Sequence, residues 1–126
     1  MSATAAFIAC ALLAALAVFQ AGLAAGMPWG RMAWGGRQTV LPQRMRVASL
    51  LSIALYAAFA LIALDAAGVV EVLPGLLSNI GIWVLTVYGF VGVLMNAISR
   101  SRPERLVMTP VALMLALFFL TIALGV

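Results

Sequence analysis

Three carboxyl groups, one thiol and no imidazole are what this chain offers to catalysis: Asp65, Glu71, Glu104 and Cys10. General acid–base work needs two titratable groups on one proton path. A zinc site needs several converging histidine, cysteine or carboxylate ligands, and a haem needs an axial ligand that is usually histidine. No spacing in the chain meets these needs. The expectation is therefore no catalytic residue, no cofactor, no metal and no enzymatic activity. What remains is hydrogen bonding and positive charge. Gln20, Ser49, Ser52, Asn96 and Thr109 form a candidate polar cluster, and the cations are seven arginines with no lysine. Side-chain amides and hydroxyls among apolar residues suit a cavity wall or an interhelical hydrogen bond. Guanidinium groups suit phosphates and carboxylates.

These side chains must be positioned by very apolar elements. Of the 126 residues, 67% are hydrophobic and 8% charged, with mean hydropathy +1.24. A soluble globule of this size has too little interior to hide so much apolar surface. The composition is that of a single integral membrane domain over residues 1–126. About 20 apolar residues of helix cross a bilayer, at about 1.5 Å of rise each. Four runs qualify, near residues 5–25, 47–70, 77–98 and 106–125. The expected fold is all-α: a bundle of four transmembrane helices. Helices satisfy their own backbone groups in lipid, and a four-stranded barrel is not a workable alternative.

Orientation follows from charge. Arg31, Arg37, Arg44 and Arg46 fall in the loop 26–46, and Arg100, Arg102 and Arg105 in or beside the loop 99–105. The connection between the second and third runs, "EVLPG", has Glu71 and no cation. The positive-inside rule puts both arginine loops in the cytoplasm and both termini outside. Arginine in place of lysine, with heavy alanine use, points to a GC-rich bacterium and hence to its inner membrane. No basic residue precedes the first run and the basic cluster follows it, the reverse of a signal peptide, so this run is expected to be retained. The net charge of +4 is explained by topology, and no nucleic-acid partner is expected.

"PQRMRV" from Pro42 and "PERLVM" from Pro103 precede the second and fourth runs, and a side-chain amide, Gln20 or Asn96, closes the first and third. That correspondence is what a duplicated helix hairpin produces. It is also what proline and arginine at any membrane boundary produce. At 100° per residue, Ser78, Gly81, Tyr88, Gly89, Gly92, Asn96 and Ser99 share one stripe of the third run, opposite Ile80, Trp83, Val84, Val87, Val91 and Leu94. Ser49, Ser52, Tyr56, Ala60, Ala63 and Ala67 share a stripe of the second. Small and polar stripes are expected to face protein and the others lipid. The fourth run, with "LMLALFFL", is expected to be peripheral. Spare small-residue faces leave room for a homodimer or a larger membrane complex.

A functional cavity is expected to open to the cytoplasm between Gln20 and Asn96, with arginines at its mouth. Asp65 is expected at the outer boundary, solvated. In "MPWGRMAWGGRQTVLPQRMR", Trp29 and Trp34 suit a membrane interface. Its glycines permit tight turns whose amides, beside Arg31 and Arg37, can cradle an anion. With Arg44, Arg100 and Arg102 these residues are the candidate headgroup or anion contacts. Arg102 and Glu104 are placed to pair locally.

The run "MPWG", "AWGG", "LP" with the following arginines and Ser49, together with "LMNAISRSRPER" from Leu94, resembles a recurrent group of small four-helix membrane proteins in GC-rich bacteria. The resemblance spans most of the chain and implies the fold, not an activity. The chain departs from small multidrug transporters, which carry a glutamate in their first helix, and from the glycine-and-asparagine pattern of fluoride channels. The expected function is that of an accessory or structural membrane protein contacting lipid headgroups or a membrane partner. The alternative is a small homo-oligomeric channel or transporter for a neutral or anionic solute.

Overall fold

The computed structural model describes all of residues 1–126. Four long helices follow one another: α1 Ser2–Ala24, α2 Gln43–Ala66, α3 Gly75–Ala97 and α4 Glu104–Leu124. All four are long and apolar enough to cross a membrane, and no strand is present. Proline sets where the later helices begin. Pro42 and Pro74 are the residues before α2 and α3, and Pro103 stands before α4. There the missing N–H is not needed and the fixed φ leads into the first turn. Glycine ends α1 and α2. Gly26 (φ 92°) and Gly68 (φ 81°) take the left-handed conformation, and the amides of Met27 and Val69 reach back to the carbonyls of Gly22 and Leu64. Such closures satisfy carbonyls that the helix end would otherwise orphan.

α4 starts irregularly. Glu104–Met108 winds as a π helix before the α-helix Thr109–Leu124 begins. Pro110 explains the position. It gives no N–H to the carbonyl one turn earlier and its ring crowds that carbonyl, so the preceding turn widens.

Sequential helices pack most closely, α1 on α2 and α3 on α4, with α1 also against α4; α2 and α3 touch less. The two hairpins of the sequence are thus its two tightest pairs. The loops that carry the arginines lie together at one end: Ser101 Oγ donates to the Arg31 carbonyl, and a Cβ on Gly36 would strike Ser101. The termini meet at the other end, where Ser2 Oγ donates to the Val126 carbonyl at 2.8 Å.

The core gathers toward the termini end: Ala5, Ala6, Ala9, Ala63, Ile82 and Ile122 are all buried. Small side chains let the backbones approach. At Gly89 an added Cβ would lie 3.0 Å from Ala116 Cα, so α3 and α4 are in near backbone contact there.

Two face assignments change. α4 is not peripheral: Leu115, Ala116, Phe119 and Ile122 are buried. Uniform apolarity does not distinguish a helix among lipids from one among helices. The least enclosed helix is α2, which buries Ser49 and Ala63. On α3 the lipid-side residues, Ile80 to Leu94, are exposed as expected, but the buried stripe is Ser78, Ile82, Leu85, Thr86 and Gly89. Tyr88, Gly92 and Asn96 flank that stripe and border a hollow instead of packing into it.

Candidate functional site

The hollow is a cavity of about 460 Å³ in the arginine-end half of the bundle. α1 lends it Leu13, Leu16, Phe19 and Gln20; α2 lends Ser52, Tyr56 and Phe59. Tyr88, Gly92, Met95 and Asn96 come from α3, and Glu104, Met108, Leu115 and Phe119 from α4. From Asn96 down to Tyr88 the wall descends about 12 Å along the helix axis, at about 1.5 Å per residue. At its deep end the aromatic rings of Phe59 and Tyr88 lie 5.4 Å apart at 58°, and Tyr56 and Phe59 6.3 Å apart. The tilted Phe59–Tyr88 contact links α2 to α3 there. Beyond it Gly81 faces Ile62, whose methyl an added Cβ would meet at 3.0 Å. The termini-end half is filled by the alanine core, so the hollow does not run through to that end of the bundle.

The loop between α1 and α2 roofs part of it. Met32, Ala33 and Trp34 belong to the wall. The loop is held in place by several independent contacts. Trp29 stacks on Phe19, with centroids at 6.1 Å and planes 9° apart, over Gly22, where even a Cβ would strike the indole. Gly30 N–H donates to the Thr39 carbonyl at 2.8 Å, and the Gln38 carbonyl lies where a Cβ on Gly30 would be. Arg46 Nε donates to the carbonyl of the buried Leu41 at 2.8 Å. At the roof itself Trp34, Gly35 and Gly36 all have positive φ, at 52°, 78° and 73°. That left-handed run is costly for a tryptophan. It turns the Gly35 N–H toward Glu104 Oε2, 3.0 Å away. One amide of the loop expected to meet an external anion, that of Gly35, is taken up by the protein's own carboxylate. Glu104 is only 8% exposed, and its Oε2 bonds to this loop and not to Arg102.

Of the expected polar cluster, the structure brings Gln20, Ser52 and Asn96 to the cavity. Ser49 is fully buried outside it, and Thr109 Oγ1 is likewise buried; neither hydroxyl has a partner. Gln20 is 8% exposed. Its Nε2 donates to Tyr56 Oη at 3.3 Å, while its Oε1 is buried without any partner. The arginines expected at the mouth do not line the cavity. Arg31, Arg37, Arg44, Arg100 and Arg102 are exposed, on the loops or the start of α2. Trp29, exposed on one side, packs on α1; Trp34 is the tryptophan that reaches the wall. Asp65 lies at the far end of α2, where its Oδ2 accepts the amides of Val72 and Leu73 at 2.7 and 2.8 Å. It pins the short connection to α3 and is remote from the cavity.

No protein-family model, curated protein or solved structure matches the chain. Its function must be read from the site. The cavity residues not expected there are Glu104, which the sequence reads as a local partner of Arg102, and Tyr56 and Tyr88, which it reads only as members of protein-facing stripes. No group of His, Cys, Asp or Glu side chains is placed to hold a metal ion. The arrangement suits reversible binding: an apolar, aromatic pocket with a few convergent polar groups.

Proposed function

We propose that this is an accessory-type protein of a bacterial inner membrane that holds a small, apolar-bodied molecule in a cavity facing the cytoplasmic leaflet. The observation that carries the reading is the convergence of Gln20, Ser52, Asn96 and Glu104 on one hollow, large enough for a small molecule, whose wall is otherwise mostly apolar. An apolar pocket with a few convergent polar groups is the usual form of a small-molecule site.

Orientation rests on the arginines. All seven belong to one end of the bundle, which the positive-inside rule assigns to the cytoplasm, with the termini outside. The exposed guanidinium groups there are the contacts to lipid phosphates. Closure of the outer half by buried alanines favours binding over conduction, because a channel needs a continuous polar path. Helix faces left to lipid remain available for a homodimer or a larger membrane complex.

The test uses the neutral fluorophore 1-aminoanthracene with the protein in nanodiscs. Gly92 lines the cavity, and a Cβ there would meet nothing within 4 Å, so Gly92→Leu puts an apolar side chain into the hollow from a position with room for its first carbon. Wild type should bind the probe saturably and Gly92→Leu should not. Equal binding by both proteins overturns the proposal.

A further inference from the structure

We infer that the cavity selects a lipophilic organic cation, a molecule with an apolar body and one positive charge. The inference rests on the binding reading above and specifies its ligand class. Glu104 is the only charged side chain on the wall, and none of the seven arginines joins it. One carboxylate oxygen, Oε2, accepts from Gly35. The other, Oε1, has no protein partner and is left to meet charge in the cavity.

The rest of the wall points to the same charge. Trp34, Tyr56 and Tyr88 line the hollow together with Phe19, Phe59 and Phe119. Ring faces are electron-rich and attract cations, more strongly where water is excluded. An anion in the same place meets the Glu104 carboxylate and no cation on the wall to offset it. A neutral solute leaves Glu104 Oε1 without a counter-charge in an apolar surrounding, which is costly. The arginines outside are no contradiction. Six are exposed to solvent and Arg46 is half-buried on the Leu41 carbonyl, none of them on the wall, whereas the carboxylate is enclosed. The wall is predominantly apolar, which demands an apolar body around the charge and rules out a small hydrated ion.

Tetraphenylphosphonium and tetraphenylborate have nearly the same shape and opposite charge. Each is tested by its displacement of bound 1-aminoanthracene from protein in nanodiscs, so that partition into the bilayer does not count. Wild type should prefer the phosphonium by about tenfold or more, the scale of a buried charge contact. Glu104→Gln keeps a carbonyl oxygen for Gly35 and removes the charge, and the preference should collapse toward unity. If the borate displaces the probe as well as the phosphonium does, or the preference survives in Glu104→Gln, the charge selection is overturned while the cavity reading stands. If neither ion displaces the probe, the charge selection is likewise overturned. If Gly92→Leu leaves probe binding unaffected, the cavity reading falls and takes this inference with it.

Discussion

Gly35 donates its backbone N–H to Glu104 Oε2 at 3.0 Å across 69 positions of sequence. This one bond fastens the tryptophan loop between α1 and α2 to the π-helical start of α4, and so joins the two hairpins at the arginine end. It also turns a carboxylate inward that would otherwise belong to solvent. Replacing Glu104 by Gln should keep the bond, because the amide carbonyl accepts as well. Replacing it by Leu should not. The orphaned Gly35 amide is partly reachable by water, so the expected loss is about 1–2 kcal/mol. Thermal unfolding in detergent should show Glu104→Gln close to wild type and Glu104→Leu lower. Equal midpoints for the two variants mean that the bond does not fasten the loop.

The roof also depends on Gly22, whose missing side chain makes room for Trp29. Gly22→Ala should displace the indole from its stack on Phe19, at about 1–3 kcal/mol for overpacking. The cost should shrink in a Trp29→Ala background, because the group that is struck has gone. A double-mutant cycle on the unfolding midpoint measures this coupling. Additive effects would mean that the two residues do not share the contact.

What the sequence announced, and what it did not, divides along a physical line. Gln20, Ser52 and Asn96 are polar side chains in apolar runs. In lipid such groups need a partner or a hollow, so their shared destination was legible. Glu104 sits in "SRSRPER", a run of charges that reads as solvated. Its inward turn depends on the loop's left-handed residues and on the widened turn before Pro110. A proline inside the fourth run was the available signal that its first turns are irregular. The burial of α4 was not legible, because a helix apolar on every side carries no directional mark. The second run overran its helix for a local reason: Gly68 ends α2 while Val69 and Val70 continue the apolar composition.

Gly89 and Gly92 lie one turn apart on α3 and should respond oppositely. Gly89 is in near backbone contact with Ala116, whereas Gly92 faces open space. Gly89→Leu should cost at least about 1–3 kcal/mol by forcing α3 from α4. Gly92→Leu should be neutral or stabilising, since leaving glycine gains about 0.5–1 kcal/mol of helix propensity. Unfolding midpoints in detergent check the pair. A Gly92→Leu variant as unstable as Gly89→Leu would deny the hollow between α2, α3 and α4.

Asp65 holds the connection at the opposite end by accepting two amides. Asp65→Ala should speed hydrogen exchange at Val72 and Leu73 and leave the amides of the arginine-end loops unchanged. Exchange mass spectrometry resolves the two regions. Unchanged exchange at Val72 and Leu73 would show that the carboxylate does not pin this turn.

Membrane orientation is open to a direct check. With the arginine loops in the cytoplasm, alkaline phosphatase fused after Val126 should be active and a green fluorescent protein fused there should be dark. A fluorescent fusion reverses the assignment, and the cavity then faces the other leaflet.

Gln20 separates a binding role from a structural one. If the amide served only to hold helices together, removing it should weaken the bundle. Yet its sole bond is the 3.3 Å contact from Nε2 to Tyr56 Oη, and its Oε1 is buried with no partner at all. Interhelical hydrogen bonds in membranes average about 0.6 kcal/mol, less than the cost of an unsatisfied buried acceptor, about 1–3 kcal/mol. Gln20→Leu, similar in volume, removes both, and the balance favours the variant. Its unfolding midpoint should equal or exceed that of wild type, while its affinity for a cation such as tetraphenylphosphonium falls. A destabilised Gln20→Leu protein that binds as well as wild type would make Gln20 a packing residue with no part in binding.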